Sequence, residues 1–178
     1  MQEENIAFKK TGYFSALICD YLEGKSALSP FFNRCPNLEN FKLQIKEKEN
    51  SKTISTKHRE VLVSVLAKQY KNVESSDLTL QNIDALKSAK TFTITTGHQL
   101  NLFTGPLYFL YKIISVINLC KVLKRKYPEH NFVPIYWMAT EDHDFDEINY
   151  FNFKGKKFQW NREGGGAVGK MSIDGFIA

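Results

Sequence analysis

Between residues 91 and 138 the chain reads strand, long helix, strand, and that order leaves few ways to fold. Thr91-Phe92-Thr93-Ile94-Thr95-Thr96 has five β-branched residues out of six, the composition of a pleated, packed segment. A long helix is predicted to follow Thr104, its N-cap, with Pro106 in its first turn, and to run to about Lys126, where Pro128 ends it. Its apolar residues Leu107, Leu110, Ile113, Ile114, Ile117, Leu119 and Leu123 occupy much of the helical circumference, so it is expected to be sandwiched between layers. Phe132-Val133-Pro134-Ile135-Tyr136 supplies the second strand. A helix of this length between two strands predicts a right-handed crossover and a parallel pair. The fold class is therefore α/β.

Residues 1–90 read differently. Short amphipathic stretches at 14–22, 38–49, about 56–70 and 76–86 predict a helical, connective segment that packs on the core, with Thr56 capping the third stretch and Ser76 or Asp77 starting the fourth. His58 lies on a charged helix start and reads as a surface residue. Residues 91–178 form the first part of the α/β core. After the second strand, 148–153 and 157–160 predict a hairpin turning at Lys154-Gly155-Lys156. Neither a closing helix nor a third parallel strand follows, so the core reads as incomplete, one structural domain truncated at its C-terminus.

Composition narrows the function classes. Of 178 residues, 43% are hydrophobic and 24% charged, which is globular and not disordered. The net charge of +5 is spread evenly: 14 Lys and Arg against 11 Asp and Glu before residue 91, and 10 against 8 after it. No run of like charge marks a nucleic-acid arm. Three scattered cysteines, Cys19, Cys35 and Cys120, fit neither a disulfide scaffold nor a zinc site and agree with a reducing cytoplasm. No segment has the length and apolarity of a membrane span.

Chemistry is expected at the carboxyl ends of the two strands, where open α/β sheets bind ligands. Gly97, His98, Gln99, Asn101, Thr104 and Gly105 lie between the first strand and the helix start. Free amides and the helix dipole there favour an anion such as phosphate or carboxylate, and the glycines permit close backbone approach. The second strand runs into Glu141, Asp142, His143, Asp144, Asp146 and Glu147. Five carboxylates so close together repel and raise one another's pKa, a cost that packing alone does not explain. Glu141 and Asp142 can bind an ammonium group, hold a divalent cation or share a proton, and His143 between carboxylates suits a general acid or base. Asp144 or Asp146 can instead cap the next element of the chain, and Asp146 and Glu147 read more readily as a solvated turn.

Gly164-Gly165-Gly166-Ala167-Val168-Gly169-Lys170 formally matches a phosphate-loop pattern. Met171 stands where magnesium coordination requires Ser or Thr, and Asp174-Gly175 interrupts any helix after it. The stretch reads as a flexible loop able to close over a site.

Residues 95–108 (TTGHQLNLFTGPLY), 136–148 (YWMATEDHDFDEI) and 165–169, together with the opening 14–32, closely resemble the bacillithiol biosynthesis cysteine-adding enzymes. The resemblance covers essentially the whole chain. It implies a Rossmann-like core of nucleotidyltransferase type, related to class I aminoacyl-tRNA synthetases, and a cytoplasmic ligase that adds L-cysteine to glucosaminyl malate. Members of that family are several hundred residues long, with a coiled coil that mediates homodimerisation, so this chain corresponds to roughly the N-terminal third. The resemblance places Gly97-His98-Gln99 where the related enzymes bind nucleotide phosphates, with ATP and magnesium as the possible activating cosubstrates. Under that reading His98 and the amides hold malate carboxylate or phosphate, Glu141 and Asp142 bind an amine, and His143 or a neighbouring carboxylate removes its proton. A second reading is a non-catalytic metabolite-binding or regulatory module. A third is a metal-dependent hydrolase using the Glu141-Asp142-His143-Asp144 cluster.

Overall fold

The computed structural model describes residues 4–51, 53–103, 105–162 and 164–174. Two compact units divide between Ser51 and Lys52. The change of sequence pattern at residue 90 therefore falls inside the second unit.

The first unit contains α1 (Phe8–Thr11), α2 (Ala16–Leu22), a 3-10 turn (Ser26–Phe31) and α3 (Leu38–Ser51). Ser15 caps α2 by accepting the Ile18 N–H, while Phe8 and Phe14 meet edge to face at 4.6 Å between ring centres. Arg34 pairs with Glu47 on α3, and Asn33 donates to the same carboxylate.

The second unit begins with α4 (Thr56–Tyr70) and α5 (Asp77–Ala85). The cap of α4 is Ser55, one residue before the expected Thr56. Its hydroxyl accepts the His58 N–H, and the His58 ring accepts the Ser55 N–H in return, closing a capping box. His58 is thus part of a helix start, and the imidazole does the work usually given to Glu or Gln. Ser76 caps α5.

Next come β1 (Thr91–His98), α6 (Leu107–Lys126) and β2 (Asn131–Met138). The strands pair in parallel, from Thr91 opposite Asn131 to His98 opposite Met138, as the strand–helix–strand order requires. Both run further than their β-branched cores. Gly97 and His98 are consequently the last residues of β1 and not part of a loop. A Cβ at Gly97 would lie 2.9 Å from the Trp137 carbonyl oxygen, so glycine is what lets the ladder continue there.

The core sits where helices meet this sheet. Val63 of α4, Leu86 and Val133 of β2 are buried together, with Leu66, Ile83 and Ile135 around them. Arg59 ties α4 to the start of β1 by donating to the Leu86 and Thr91 carbonyls at 2.9 and 3.2 Å. On α6, Cys120 and Leu123 are buried and the helix packs on β1 and β2. Leu107, Leu110, Tyr111, Ile114 and Ile117 are exposed. Among the described residues α6 is covered on one face, not sandwiched. Pro106 is its N-cap, in extended conformation, with the first helical residue at Leu107. Thr104 lies outside the described residues.

After β2 a tight turn leads into α7 (Phe145–Ile148), then β3 (Tyr150–Phe153) and β4 (Lys156–Gln159), an antiparallel hairpin turning at Lys154-Gly155. Ile148, expected in the hairpin, ends α7 and is buried.

Candidate functional site

The carboxyl end of β1 carries a hydrogen-bonded cluster. The Asn101 amide donates to the Gln99 carbonyl at 3.0 Å. Nδ1 of His98 lies 3.1 Å from that carbonyl and 3.0 Å from the Asn101 amide nitrogen, so its donor or acceptor role follows the ring tautomer. Nε2 faces the Tyr108 hydroxyl at 2.8 Å and the Glu147 carboxylate at 3.2 Å. Tyr108 donates in turn to Glu147 at 3.4 Å. Burial, with the Glu147 charge adding to it, pushes the Tyr108 hydroxyl above the ordinary tyrosine range, so it stays a donor. Burial raises Tyr136 likewise, and its hydroxyl donates to the His98 carbonyl at 3.0 Å. Lys112 on α6 donates to the Gly97 carbonyl at 2.6 Å.

Gln99 is 2% exposed. Its amide nitrogen donates to the Asp144 carbonyl at 3.0 Å and to the Glu147 carboxylate. These bonds lock the end of β1 to the start of α7. Asp144 caps α7 by accepting the Glu147 N–H at 3.3 Å. One turn of helix thereby aims Glu147 back at His98.

The acidic turn is held from the other side. Val168 N–H donates to the Asp142 carbonyl at 2.7 Å, and Gly169 N–H to the Thr140 carbonyl at 2.9 Å. The glycine-rich stretch expected to be a loose flap is thus pinned to the turn at its far end, with Val168 buried. Gly164 and Gly166 adopt positive φ.

The expected site residues divide into two sets. His98, Gln99 and Asn101 converge, and Asp144 joins them through its carbonyl. The close approaches at Gly97 and Gly105 are made by Trp137 and Asn101, whose atoms lie 2.9 and 2.7 Å from where a Cβ would stand. Both glycines therefore serve the protein's own packing. Glu141 faces solvent, and the His143 side chain is 83% exposed, its ring 3.8 Å from Asp142. Asp142 accepts the His143 N–H at 2.7 Å. Tyr108, Lys112 and Tyr136 were not singled out by sequence, and Glu147 read there as part of a solvated turn. The usable signal for Glu147 is its position three residues after a capping Asp144, which directs a side chain back over the first turn. Among the described residues, no three His, Cys, Asp or Glu side chains lie close enough to hold one metal ion, which leaves the hydrolase reading without a ligand set there.

The sequence model described as "Bacillithiol biosynthesis BshC, N-terminal Rossmann-like domain" matches residues 1–177. The chain belongs to the BshC family. Similar proteins named "Putative cysteine ligase BshC" occur in Flavobacterium psychrophilum, 63% identical over 172 residues, and Flavobacterium johnsoniae, 61% over 175. A more distant one, from Bacillus cereus, is 34% identical over 144 residues, or 80% of this chain. The Flavobacterium matches cover 97% and 98% of this chain but 32% and 33% of those relatives. The chain thus spans about a third of the length of the curated BshC relatives it matches. The Rossmann-like description agrees with a parallel β1–β2 pair bridged by α6, an incomplete α/β core. No described helix is long and apolar enough to cross a membrane.

Proposed function

We propose that this chain carries the acceptor-side half of a cysteine ligase site, which joins L-cysteine to the amine of glucosaminyl malate. The observation that carries this reading is family membership over essentially the whole chain. The His98–Tyr108–Glu147 cluster supports it by supplying what amide formation needs. The attacking amine must lose a proton as its nitrogen bonds to the activated cysteine carbonyl carbon, while the carboxyl oxygen leaves with its activating group. Glu147, the more exposed member, is the proton acceptor in this scheme, taking the proton that the amine loses, with His98 and Tyr108 orienting its carboxylate. Glu147 takes this role in preference to His143, which stands in solvent.

Glu141 and Asp142, on the turn after β2, supply negative charge that draws the ammonium form of the acceptor to the site. Where ATP and magnesium activate the carboxylate, the phosphates would lie toward the N-terminus of α6, whose dipole favours an anion.

In the intact protein, Glu147→Gln and His98→Ala are each expected to lower product formation by about 10²- to 10⁴-fold, the usual worth of general acid–base catalysis. Thermal unfolding of Glu147→Gln should change little, because that side chain is 42% exposed. Product is followed by mass spectrometry with cysteine and glucosaminyl malate. Wild-type turnover in both variants would remove the pair from the reaction. Saturable binding of glucosaminyl malate with no product under any activating condition would instead favour a metabolite-binding module.

A further inference from the structure

The single turn of α7 faces two ways. Glu147 points to His98, while Asp146 and Asn149 line a separate cleft of about 330 Å³ with Phe145, Trp160 and Arg162. That volume is at the small end of ligand sites, which run from about 300 to 1,000 Å³, and suits a metabolite the size of an amino acid.

Asn149 shows that the cleft is built to receive a donor. The residue is 3% exposed. Its side-chain nitrogen donates to Asp146 at 3.3 Å, and its main-chain carbonyl accepts the Trp160 N–H at 2.7 Å. Its amide oxygen, also buried, has no partner among the described residues. Nearly all buried polar atoms are satisfied, so an unpaired acceptor on a residue that lines the cleft is a partner available to a ligand N–H.

The charges around it complete the pattern. Asp146 pairs with no cation among the described residues, and Arg162 with no anion. The Arg162 guanidinium lies 5.7 Å from the centre of the Trp160 ring and gives one N–H to the Ser172 carbonyl at 2.5 Å. Those contacts orient the group and leave its charge uncompensated. A carboxylate beside an orphan acceptor, and a planar cation on the same cleft, are the complement of a zwitterion.

We propose that this cleft binds a free α-amino acid, its ammonium group on Asn149 and Asp146, its carboxylate on Arg162, and its side chain along Trp160 and Phe145. The inference deepens the proposed function, on which it rests for the choice of L-cysteine among amino acids.

The test is a titration of the intact protein with L-cysteine, followed by the NMR signal of the Trp160 indole, assigned by its loss in Trp160→Phe. Saturable movement of that signal is expected. It should be at least tenfold weaker in Arg162→Ala and in Asp146→Asn, which change exposed side chains and leave the fold intact; Asn149→Ala is the third variant. Cysteamine, which lacks the carboxylate, and 3-mercaptopropionate, which lacks the amine, should each lose most of the affinity. An unmoved indole at saturating cysteine, or wild-type affinity in both surface variants, overturns the site. Product assays separate this from the ligase reading. A raised KM for cysteine at unchanged kcat in Arg162→Ala supports the cleft. A wild-type KM for cysteine in that variant overturns the cleft and leaves the ligase standing. Indole-resolved binding by a wild-type protein that makes no product supports the cleft as an amino-acid site and removes the ligase.

Discussion

Gly165 and Gly169 belong to the same glycine-rich stretch, yet a methyl group means something different at each. A Cβ on Gly169 would stand 2.5 Å from the Thr140 Cβ and 2.9 Å from its carbonyl oxygen, whereas one on Gly165 meets nothing within 4 Å. Gly169→Ala must push the stretch off the acidic turn or bend the turn itself, and is expected to cost about 1–3 kcal/mol. Gly165→Ala should stay within about 0.5 kcal/mol of wild type. Urea unfolding of the two variants side by side checks this, and equal midpoints would show that the stretch does not clasp the turn. The pair also shows how far the sequence reached. A crowd of carboxylates after a strand was enough to single out this stretch as a candidate, because like charges seldom gather without a reason. Which carboxylate meets His98 was not legible: the answer depends on Asp144 starting one turn of helix, and Asp146 and Glu147 differ only by the rotation of that turn. The real partner, Glu147, looked like the more ordinary solvated residue. Tyr108 was hidden for a similar reason, since its hydroxyl reaches His98 only once α6 is set on the sheet.

At the scale of elements, strand cores and helix stripes were readable because they follow local periodicity, and their ends were not, because ends depend on partners. β1 continues through His98 only because Trp137 can close on Gly97. α6 starts after Pro106, so the proline sits one place outside the helix and contributes its fixed extended entry. The start of α4 is the clearest case. Ser55 and Thr56 are both capping residues, Ser the somewhat better one, and that margin is too small for a sequence alone to choose between them. His58 decides it, since its ring can return a hydrogen bond to the Ser55 N–H but is in the wrong place to serve Thr56. Ser55→Ala should therefore cost about 0.5–2 kcal/mol, seen as a lower urea midpoint at unchanged slope. Thr56→Ala should leave the midpoint close to wild type. Reversed sensitivities would assign the cap to Thr56 after all.

For the molecule as a whole, the unusual property is where its apolar surface lies. Leu107, Leu110, Tyr111, Ile114 and Ile117 recur at three- and four-residue spacing along α6 and are all exposed, while Cys120 and the fully buried Leu123 mark the opposite face, against the sheet. A stripe of this kind is the property expected of a helix with a layer on each side, and it explains why the sequence reads as a sandwiched helix although one side is bare here. Contiguous exposed apolar patches of that sort mark contact surfaces. The 178-residue chain alone should consequently bind the dye ANS through this stripe. Ile114→Lys with Ile117→Glu is expected to reduce ANS fluorescence markedly, with stability within about 0.5 kcal/mol of wild type because neither side chain is part of the folded core. Leu123→Ala, on the inner face, should instead cost about 2–5 kcal/mol and increase dye binding as packing loosens. If the double variant were destabilised as severely as Leu123→Ala, the outer stripe would already be packed within this chain, and the one-sided arrangement of α6 would be wrong.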